Sequence, residues 1–216
     1  MGVVTSGIIA IDGPAGAGKS TIARALAQRL GVEYLDTGAM YRAVTVAAMR
    51  RGVAVNDVER VASIAADLEI DVDDRGVFVD GTDVTSEIRS RAVTANVSAV
   101  AANSAVRSVL RAHQRAWGDE RGAGVMEGRD IGSVVFPDAA LKLYLTASPR
   151  VRAERRVAEA GGDVDEIEAA IAARDHYDSS RADSPLREAD GSIVVDTTGL
   201  GIEEVLDRIT SLLDPA

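Results

Sequence analysis

The sequence predicts an α/β fold built on a parallel sheet, and three observations support it. Short apolar segments typical of buried strands alternate with longer segments of helical periodicity. The first apolar segment, Ile8 to Ile11, leads into a glycine-rich loop and then into a helix. Signals for antiparallel hairpins are confined to one interior stretch. At 216 residues, the chain fits one domain of this class with small inserted subdomains.

The first half of the chain begins with alternating elements. Ile22, Leu26 and Leu30 recur at helical spacing, and Gly31 predicts the end of that helix. Three further elements are predicted by apolar periodicity, namely a strand over Val32–Leu35 and helices over Ala39–Arg51 and Val58–Leu68.

Residues 69–84 then alternate apolar and polar side chains around Asp74-Arg75-Gly76, with a second turn at Asp80-Gly81. This hairpin pattern predicts an inserted subdomain over about 65–100. A helical stretch opens at Ser86–Arg89.

The second half of the chain returns to the alternating pattern. A helix over about 105–117 precedes a third strand, Gly124–Glu127, and a fourth, Leu141–Leu145. Pro149 suits the first turn of a helix that Gly161-Gly162 breaks. The last elements predicted are a helix from Val164 to about Arg181, a fifth strand over Ile193–Asp196 and a closing helix over Ile202–Leu213.

Composition limits the classes of protein that fit. The chain is 46% apolar but only 3% aromatic, so we expect an aliphatic core, and it has no cysteine for disulfides or thiolate metal sites. No apolar run approaches the roughly 18 residues of a membrane span, and Met1 to Gly7 lack a charged signal-peptide region. We therefore expect a cytoplasmic protein. The net charge of −10 argues against nucleic-acid binding, although arginines gathered in one cleft could hold a small anion.

The strongest motif is Gly13-Pro-Ala-Gly-Ala-Gly-Lys19-Ser20, which matches the phosphate-binding P-loop pattern G-x-x-x-x-G-K-[ST]. Backbone N–H groups of such a loop surround phosphate oxygens, and the following helix directs its positive end at the same anion. Lys19 is expected to reach the β- and γ-phosphates and Ser20 to ligate Mg²⁺. A ligand-free turn is the alternative. It is disfavoured because strand and helix flank the motif and the chain has only two lysines against 22 arginines.

Four arginine-bearing segments are candidate anion sites, and each has a structural alternative. Asp36–Arg42 follows a strand and suits a second phosphate site or simply a helix cap with a surface arginine. The helical face of Arg107, Arg111 and Arg115, and the arginine-rich helix 150–156, suit anion binding or a solvated face. Arg150 to Gly162 also has the composition of a mobile basic flap. Arg174, Asp178 and Arg181 share one helical face, where opposite charges could support the helix or hold a ligand.

The chain resembles the bacterial cytidylate kinases over nearly its whole length. The resemblance is carried by four segments that occur in this order: the P-loop, 36–42, 127–138 (Glu-Gly-Arg-Asp-Ile-Gly-Ser-Val-Val-Phe-Pro-Asp) and 174–181 (Arg-Asp-x-x-Asp-x-x-Arg). The resemblance implies a three-layer α/β/α P-loop NTPase fold with a five-stranded parallel sheet. It also implies a single kinase domain, divided into a core (1–36, 103–147 and 183–216), a monophosphate-binding segment with its insert (about 37–102), a short lid (about 148–165) and a lid-to-core helix (about 164–182).

The resemblance also implies roles for individual residues. The ATP-binding set is Gly13, Pro14, Ala15, Gly16, Ala17, Gly18, Lys19, Ser20, Thr21, Arg155 and Arg156, with Arg152 adding lid charge. The CMP-binding set is Thr37, Arg42, Arg89, Ser98, Arg107, Arg129, Asp130, Arg174, Asp178 and Arg181. The catalytic set is Lys19, Arg129, Arg155 and Arg174, and Ser20 holds Mg²⁺ largely through waters.

The implied reaction is ATP + CMP (or dCMP) = ADP + CDP (or dCDP), a step of pyrimidine nucleotide metabolism, in a cytoplasmic monomer that binds neither nucleic acid nor membrane. A carboxylate accepts from cytosine N4 and arginine donates to N3 or O2, so Asp130 and Arg107 favour CMP over UMP. The alternatives are a UMP or AMP kinase and, from another class, a GTP-binding module. The chain has no Asn-Lys-x-Asp motif for guanine.

Overall fold

A computed structural model describes residues 7–213 of the chain. The chain folds into two compact units. The described part of the first unit comprises residues 7–34 and 118–213, and the second unit comprises residues 35–117. Met1 to Ser6 lie outside the described residues, and with them most of the segment on which the absence of a signal peptide was predicted.

A five-stranded sheet organises the first unit. Its strands are β1 (Gly7–Asp12), β2 (Glu33–Asp36, of which Glu33 and Tyr34 belong to this unit), β6 (Ala123–Glu127), β7 (Leu141–Thr146) and β8 (Ile193–Asp196), in the order β2-β6-β1-β7-β8. β1 pairs in parallel with β6 on one side and with β7 on the other. Because β1 is central and buried on both faces, it consists of apolar residues up to its last position, Asp12.

Helices α1 (Lys19–Leu30) and α8 (Ile202–Ser211) pack together on this sheet through an aliphatic cluster. α1 ends at Gly31, which adopts the left-handed conformation that glycine tolerates, as its sequence position predicts. α6 (Pro149–Ala160) and α7 (Val164–Ser179) pack against each other. α6 begins with Pro149 in its first turn and is capped by the Ser148 side chain, which confirms the predicted start.

The second unit is mainly helical and carries the hairpin insert. Its helices are α2 (Thr37–Arg50), α3 (Val58–Asp67), α4 (Arg91–Ala102) and most of α5 (Ser104–Arg121), with a 3₁₀ turn over Glu87–Arg89. Strands β3 (Ile70–Asp73), β4 (Gly76–Val79) and β5 (Thr82–Asp83) form an antiparallel sheet. α2 is the central element and packs against the 3₁₀ turn, α3, α4 and the hairpin strands.

The elements predicted from sequence are confirmed with small changes in their ends. The five strands and both hairpin turns lie where periodicity placed them, and α5 runs four residues further than expected, to Arg121. The helical stretch predicted to open at Ser86–Arg89 is a 3₁₀ turn, and α4 begins after it, at Arg91. A single π-helical turn over Ile131–Val135, directly after Arg129 and Asp130, was not predicted. In residues 7–213, the helices are too short or too polar to cross a bilayer.

Candidate active site

The loop between β1 and α1 has the backbone of a phosphate cradle. Gly13, Gly16 and Gly18 all have positive φ, at 145°, 75° and 87°. At Gly13, a Cβ atom would lie 2.0 Å from the Leu145 carbonyl oxygen, so only glycine allows the loop to pass this close to β7. α1 then starts at Lys19, with the hydroxyls of Ser20 and Thr21 in its first turn on exposed residues. The positive end of α1 therefore adjoins the glycine loop.

Four backbone carbonyl groups of the P-loop accept hydrogen bonds from cationic side chains. Lys19 Nζ donates to the Pro14 carbonyl at 2.9 Å, and Arg129 donates to that of Gly13. Arg152 donates to the Ala15 carbonyl at 3.1 Å, and Arg155 to that of Ala17 at 3.4 Å. These bonds fix the carbonyl side of the loop.

Asp175 of α7 completes this arrangement and was not singled out as a site residue. One of its carboxylate oxygens accepts the Ala15 N–H at 3.0 Å, and the other accepts from Arg152. Arg152 is buried and also donates to the Ala147 carbonyl at 3.1 Å, so it ties α6 to the P-loop. Helical periodicity located the arginines of α6 but not their direction, because the partners lie far apart along the chain.

The four arginines of α6 divide into two pairs. Arg150 and Arg156 form exposed ion pairs with Glu154 at 3.6 Å and with Glu159 at 2.7 Å. Arg152 and Arg155 instead face the P-loop, and Arg155 is held by the side-chain and backbone oxygens of Thr197, both at 2.9 Å.

A second cluster of the first unit forms around Asp178, which is 3% exposed. Arg129 donates to its carboxylate at 3.1 Å, Arg181 lies 3.7 Å away and Arg174 lies 4.0 Å away. These four predicted site residues are thus brought together. Three guanidinium groups around one carboxylate form a locally positive centre suited to a phosphate or a negatively charged ligand.

Two titratable groups, one in the P-loop and one directly before it, have pKa values shifted from the ordinary ones. Removal from water lowers the pKa of Lys19 to about 7, and the nearby charges of Arg129 and Arg174 act in the same direction. Burial raises the pKa of Asp12 to about 6, against the effect of two backbone hydrogen bonds from Gly132 and Ile131. Such opposed shifts are typical of functional sites.

Glu127 is a further residue that the sequence analysis did not assign. It ends β6, the strand beside β1, is buried, and accepts a hydrogen bond from Tyr34. In P-loop proteins an acidic residue at the end of a strand near the P-loop assists the Mg²⁺ site. The signal was present in the sequence as an apolar strand ending in a glutamate.

Predicted CMP-binding residues also lie in the second unit. Thr37 is the buried first residue of α2, and Asp36 caps that helix by accepting from the Ala39 N–H at 2.9 Å, so the predicted helix cap is present. Arg42 donates to the Ile88 carbonyl at 2.9 Å and to the Thr94 hydroxyl at 3.0 Å, so it is not a solvated surface arginine.

Arg107 is 2% exposed, lies over the Tyr41 ring and donates to the Ala101 carbonyl at 3.0 Å. The arginine face of α5 therefore splits, because Arg107 is buried, Arg111 is half-buried and Arg115 is exposed. Arg89 is exposed at the end of the 3₁₀ turn, and Ser98 is half-buried on α4. Asp130 belongs to the first unit, where it is buried immediately before the π-helical turn.

Comparison with known proteins identifies the family. The sequence profile described as cytidylate kinase matches residues 9–214. The chain belongs to the cytidylate kinase family. It is 51% identical to the cytidylate kinase of Rhodococcus opacus, over 94% of this chain and 92% of that protein. It is 50% identical to the cytidylate kinase of Geobacter sulfurreducens, over 95% and 92% of the two chains.

Solved structures of more distant proteins show the same fold. A gluconokinase from Sinorhizobium meliloti aligns with a TM-score of 0.52 at 14% identity, covering 96% of this chain and 91% of that one. A shikimate kinase from Acinetobacter baumannii in complex with shikimate aligns with a TM-score of 0.51 at 15% identity, covering 97% and 94%. At these identities the likeness concerns the α/β fold of this cytidylate kinase family member, which agrees with the fold class predicted from sequence.

Proposed function

We propose that this protein transfers the γ-phosphoryl group of ATP to CMP or dCMP, giving ADP and CDP or dCDP. The observation that carries the proposal is a P-loop cradle and an arginine centre around Asp178 in one unit of a cytidylate kinase family member. The cradle suits a triphosphate donor, and the arginine centre suits an acceptor that is itself an anion.

The donor side follows from the P-loop. Its positive-φ glycines orient N–H groups towards one anion, and the charged form of Lys19 is favoured once a triphosphate lies beside it. The residues present fit Mg²⁺, because the Ser20 hydroxyl is on an exposed residue at the helix start and Glu127 ends the neighbouring strand. Bound there with ATP, Mg²⁺ would neutralise phosphate charge, and it characteristically keeps several water ligands.

On the acceptor side, the reacting group is a phosphate oxygen of the monophosphate. This oxygen is already ionised at neutral pH, so the transfer requires in-line positioning and charge neutralisation rather than a general base. We propose that Arg129 and Arg174 contact the phosphoryl groups and that Asp178 and Arg181 contact the sugar side. Thr37, Arg42 and Arg89 would take the acceptor phosphate, as the sequence resemblance predicts.

Base selection is proposed to follow from hydrogen-bond polarity. The Asp130 carboxylate accepts from the exocyclic amine of cytosine, and Arg107 and Ser98 complete the contacts to the ring. Uracil has an acceptor where cytosine has that amine, so UMP would place a lone pair against the Asp130 carboxylate instead of a donor. Asp130→Asn is expected to narrow the preference for CMP over UMP.

We further propose that Arg155 and Arg156 contribute positive charge to ATP from a closing lid over about 148–165. Lid closure would exclude water, which is a competing acceptor. The enzyme is proposed to act as a cytoplasmic monomer on small nucleotides. The net charge of −10 supports small substrates over nucleic acids.

An acceptor panel tests the proposed function. ADP release is measured with Mg-ATP and each of CMP, dCMP, UMP, AMP and GMP, for the wild-type protein and for Lys19→Ala. We expect CMP and dCMP to be the preferred acceptors. Loss of the P-loop lysine should lower kcat at least a hundredfold while circular dichroism shows an unchanged fold. Preference for another monophosphate, or near-normal turnover in the variant, would contradict the proposal.

A further inference from the structure

Asp12, the last residue of β1, bonds a part of the chain that is remote in sequence. It is 3% exposed, and its two carboxylate oxygens accept separate backbone N–H groups. Oδ1 accepts from Ile131 at 2.9 Å, and Oδ2 accepts from Gly132 at 2.8 Å. These two N–H groups open the π-helical turn that directly follows Arg129 and Asp130.

The bonds from Asp12 replace a local cap. The first N–H groups of any helical turn lack partners within the turn, and an aspartate at the preceding position commonly supplies them. Asp130 occupies that position, but its side chain makes no capping bond, although its carbonyl accepts from Val134 at 2.9 Å. Asp12 caps the turn instead, so the Asp130 carboxylate is directed to other contacts.

We propose that Asp12 is a positioning residue for CMP recognition: by capping residues 131 and 132 it fixes the backbone that carries Arg129 and Asp130. This inference rests on the proposed function, in which those two residues contact CMP. Asp12 itself acts through the loop rather than by touching the substrate.

The Lys142 side chain packs against the other side of this turn. A Cβ atom on Gly132 would lie 3.0 Å from Lys142 Cγ, and Lys142 Nζ donates to the Pro137 carbonyl at 3.0 Å. The loop is therefore held between the Asp12 carboxylate and the Lys142 side chain. Without Asp12, two buried N–H groups lose their acceptors, and the backbone would have to move to find others.

An isosteric substitution separates this role from a merely structural one. Asparagine keeps one acceptor oxygen but places an NH₂ group against the second N–H, so Asp12→Asn breaks one of the two bonds. We expect KM for CMP to rise roughly tenfold, the effect of losing one buried hydrogen bond. KM for ATP should stay within about twofold, because the P-loop is held by other side chains and the charge interaction between Asp12 and Lys19 is the smallest of those that act on either group.

The CMP/UMP ratio of kcat/KM is the second readout. If Asp12 acts through Asp130, Asp12→Asn should narrow the ratio in the wild-type background and leave it unchanged in an Asp130→Asn background. The matched control is Asp57→Asn, which alters another carboxylate that accepts a backbone N–H, that of Arg60 at 3.2 Å, at the start of α3. This control should leave KM for CMP and KM for ATP unchanged.

The outcomes separate the two proposals. Equal changes in both KM values, a loss confined to kcat, or an unchanged CMP/UMP ratio would overturn the positioning role. If Asp12→Asn does not fold, Asp12→Glu keeps the charge but shifts both acceptor oxygens away from residues 131 and 132, and a KM for CMP that stays normal in that variant would also overturn it. A wild-type protein without CMP kinase activity would instead contradict the proposed function.

Discussion

At the scale of single residues, the site contains groups whose pKa values the fold shifts from their ordinary values. Asp12 is buried, and the negative charge of Asp130 opposes its ionisation further, while Lys19 and two backbone N–H groups favour it. The balance still raises its pKa to about 6. Asp12 thus carries its charge at neutral pH at the expense of folding stability.

This cost predicts a pH dependence of stability. The pKa of Asp12 is about 6 in the folded chain and 3.8 ordinarily, so the folded state binds the proton more tightly. Between about pH 4 and pH 6 the unfolded chain has released this proton and the folded chain has not, so this group's contribution falls as pH rises, by about 3 kcal/mol in all.

Urea unfolding of the wild-type protein and of Asp12→Asn from pH 4.5 to pH 7.5 checks this prediction. The free energy of unfolding of the wild type, minus that of the variant, should decrease across the window and level off near pH 7. The subtraction removes other titrating groups. A difference that does not change with pH, or that increases, would show that Asp12 ionises normally in the folded protein.

A second prediction at this scale concerns Arg152. It is buried against Asp175 and the carbonyl groups of Ala15 and Ala147, whereas Arg150 on the same helix has a 53% exposed side chain in surface ion pairs. Arg152→Ala should cost roughly 3–5 kcal/mol, since it leaves Asp175 without its cation. Arg150→Ala should change stability by less than about 1 kcal/mol. Chemical denaturation of both variants measures the contrast, and equal losses would mean that Arg152 is not an anchor of the P-loop.

At the scale of elements, local sequence determined most of the fold. Apolar periodicity located the five strands, and glycine and proline marked the ends of α1 and the start of α6. These features depend on neighbours within a few residues. The π-helical turn at 131–135 was not predicted, because its N–H groups are bonded by Asp12, which lies 119 and 120 residues earlier.

The same distinction applies to the candidate site. The P-loop and the Arg174–Asp178–Arg181 face were predicted because each lies within one short segment. The inward direction of Arg152 and the contacts of Asp175 were not, since their partners come from other elements. Asp175, for example, bonds Ala15, 160 residues earlier in the chain.

A prediction at the element scale concerns the P-loop glycines. Gly16 has a φ of 75°, and a Cβ there would lie 2.8 Å from the Arg152 carbonyl oxygen. Gly31 has a φ of 68° with no atom within 4 Å of that position. Both alanine variants carry left-handed strain of about 1–2 kcal/mol, but only Gly16→Ala must also displace the loop from α6.

Steady-state kinetics distinguishes these two variants. We expect Gly16→Ala to raise KM for ATP about tenfold or more, because the cradle N–H groups move, and Gly31→Ala to leave it unchanged. Thermal unfolding measures the shared strain. If both variants bind ATP like the wild-type protein, the close approach of Arg152 does not shape the cradle.

At the scale of the whole molecule, the charge distribution opposes the net charge. The chain carries −10 overall, yet Arg129, Arg174 and Arg181 surround one buried carboxylate, Asp178. Their mutual repulsion is offset locally, by Asp178, rather than by the distant surface acids that water and salt screen. Replacement of Asp178 should therefore lower the folding stability by more than the change in net charge alone explains.

Asp178→Asn and Asp207→Asn both change the net charge from −10 to −9, so they form a matched pair. Asp207 is an exposed partner of Arg29 at 2.7 Å. We expect Asp178→Asn to lose roughly 2–3 kcal/mol of stability, because three guanidinium groups keep their charge without the carboxylate.

An anion that binds the folded arginine centre should restore part of this loss. Melting temperatures in sodium sulfate and sodium chloride at equal ionic strength measure it. Sulfate should raise the melting temperature of Asp178→Asn more than that of the wild-type protein or Asp207→Asn, and an equal rise in all three would mean that the arginines do not act as one anion-binding centre.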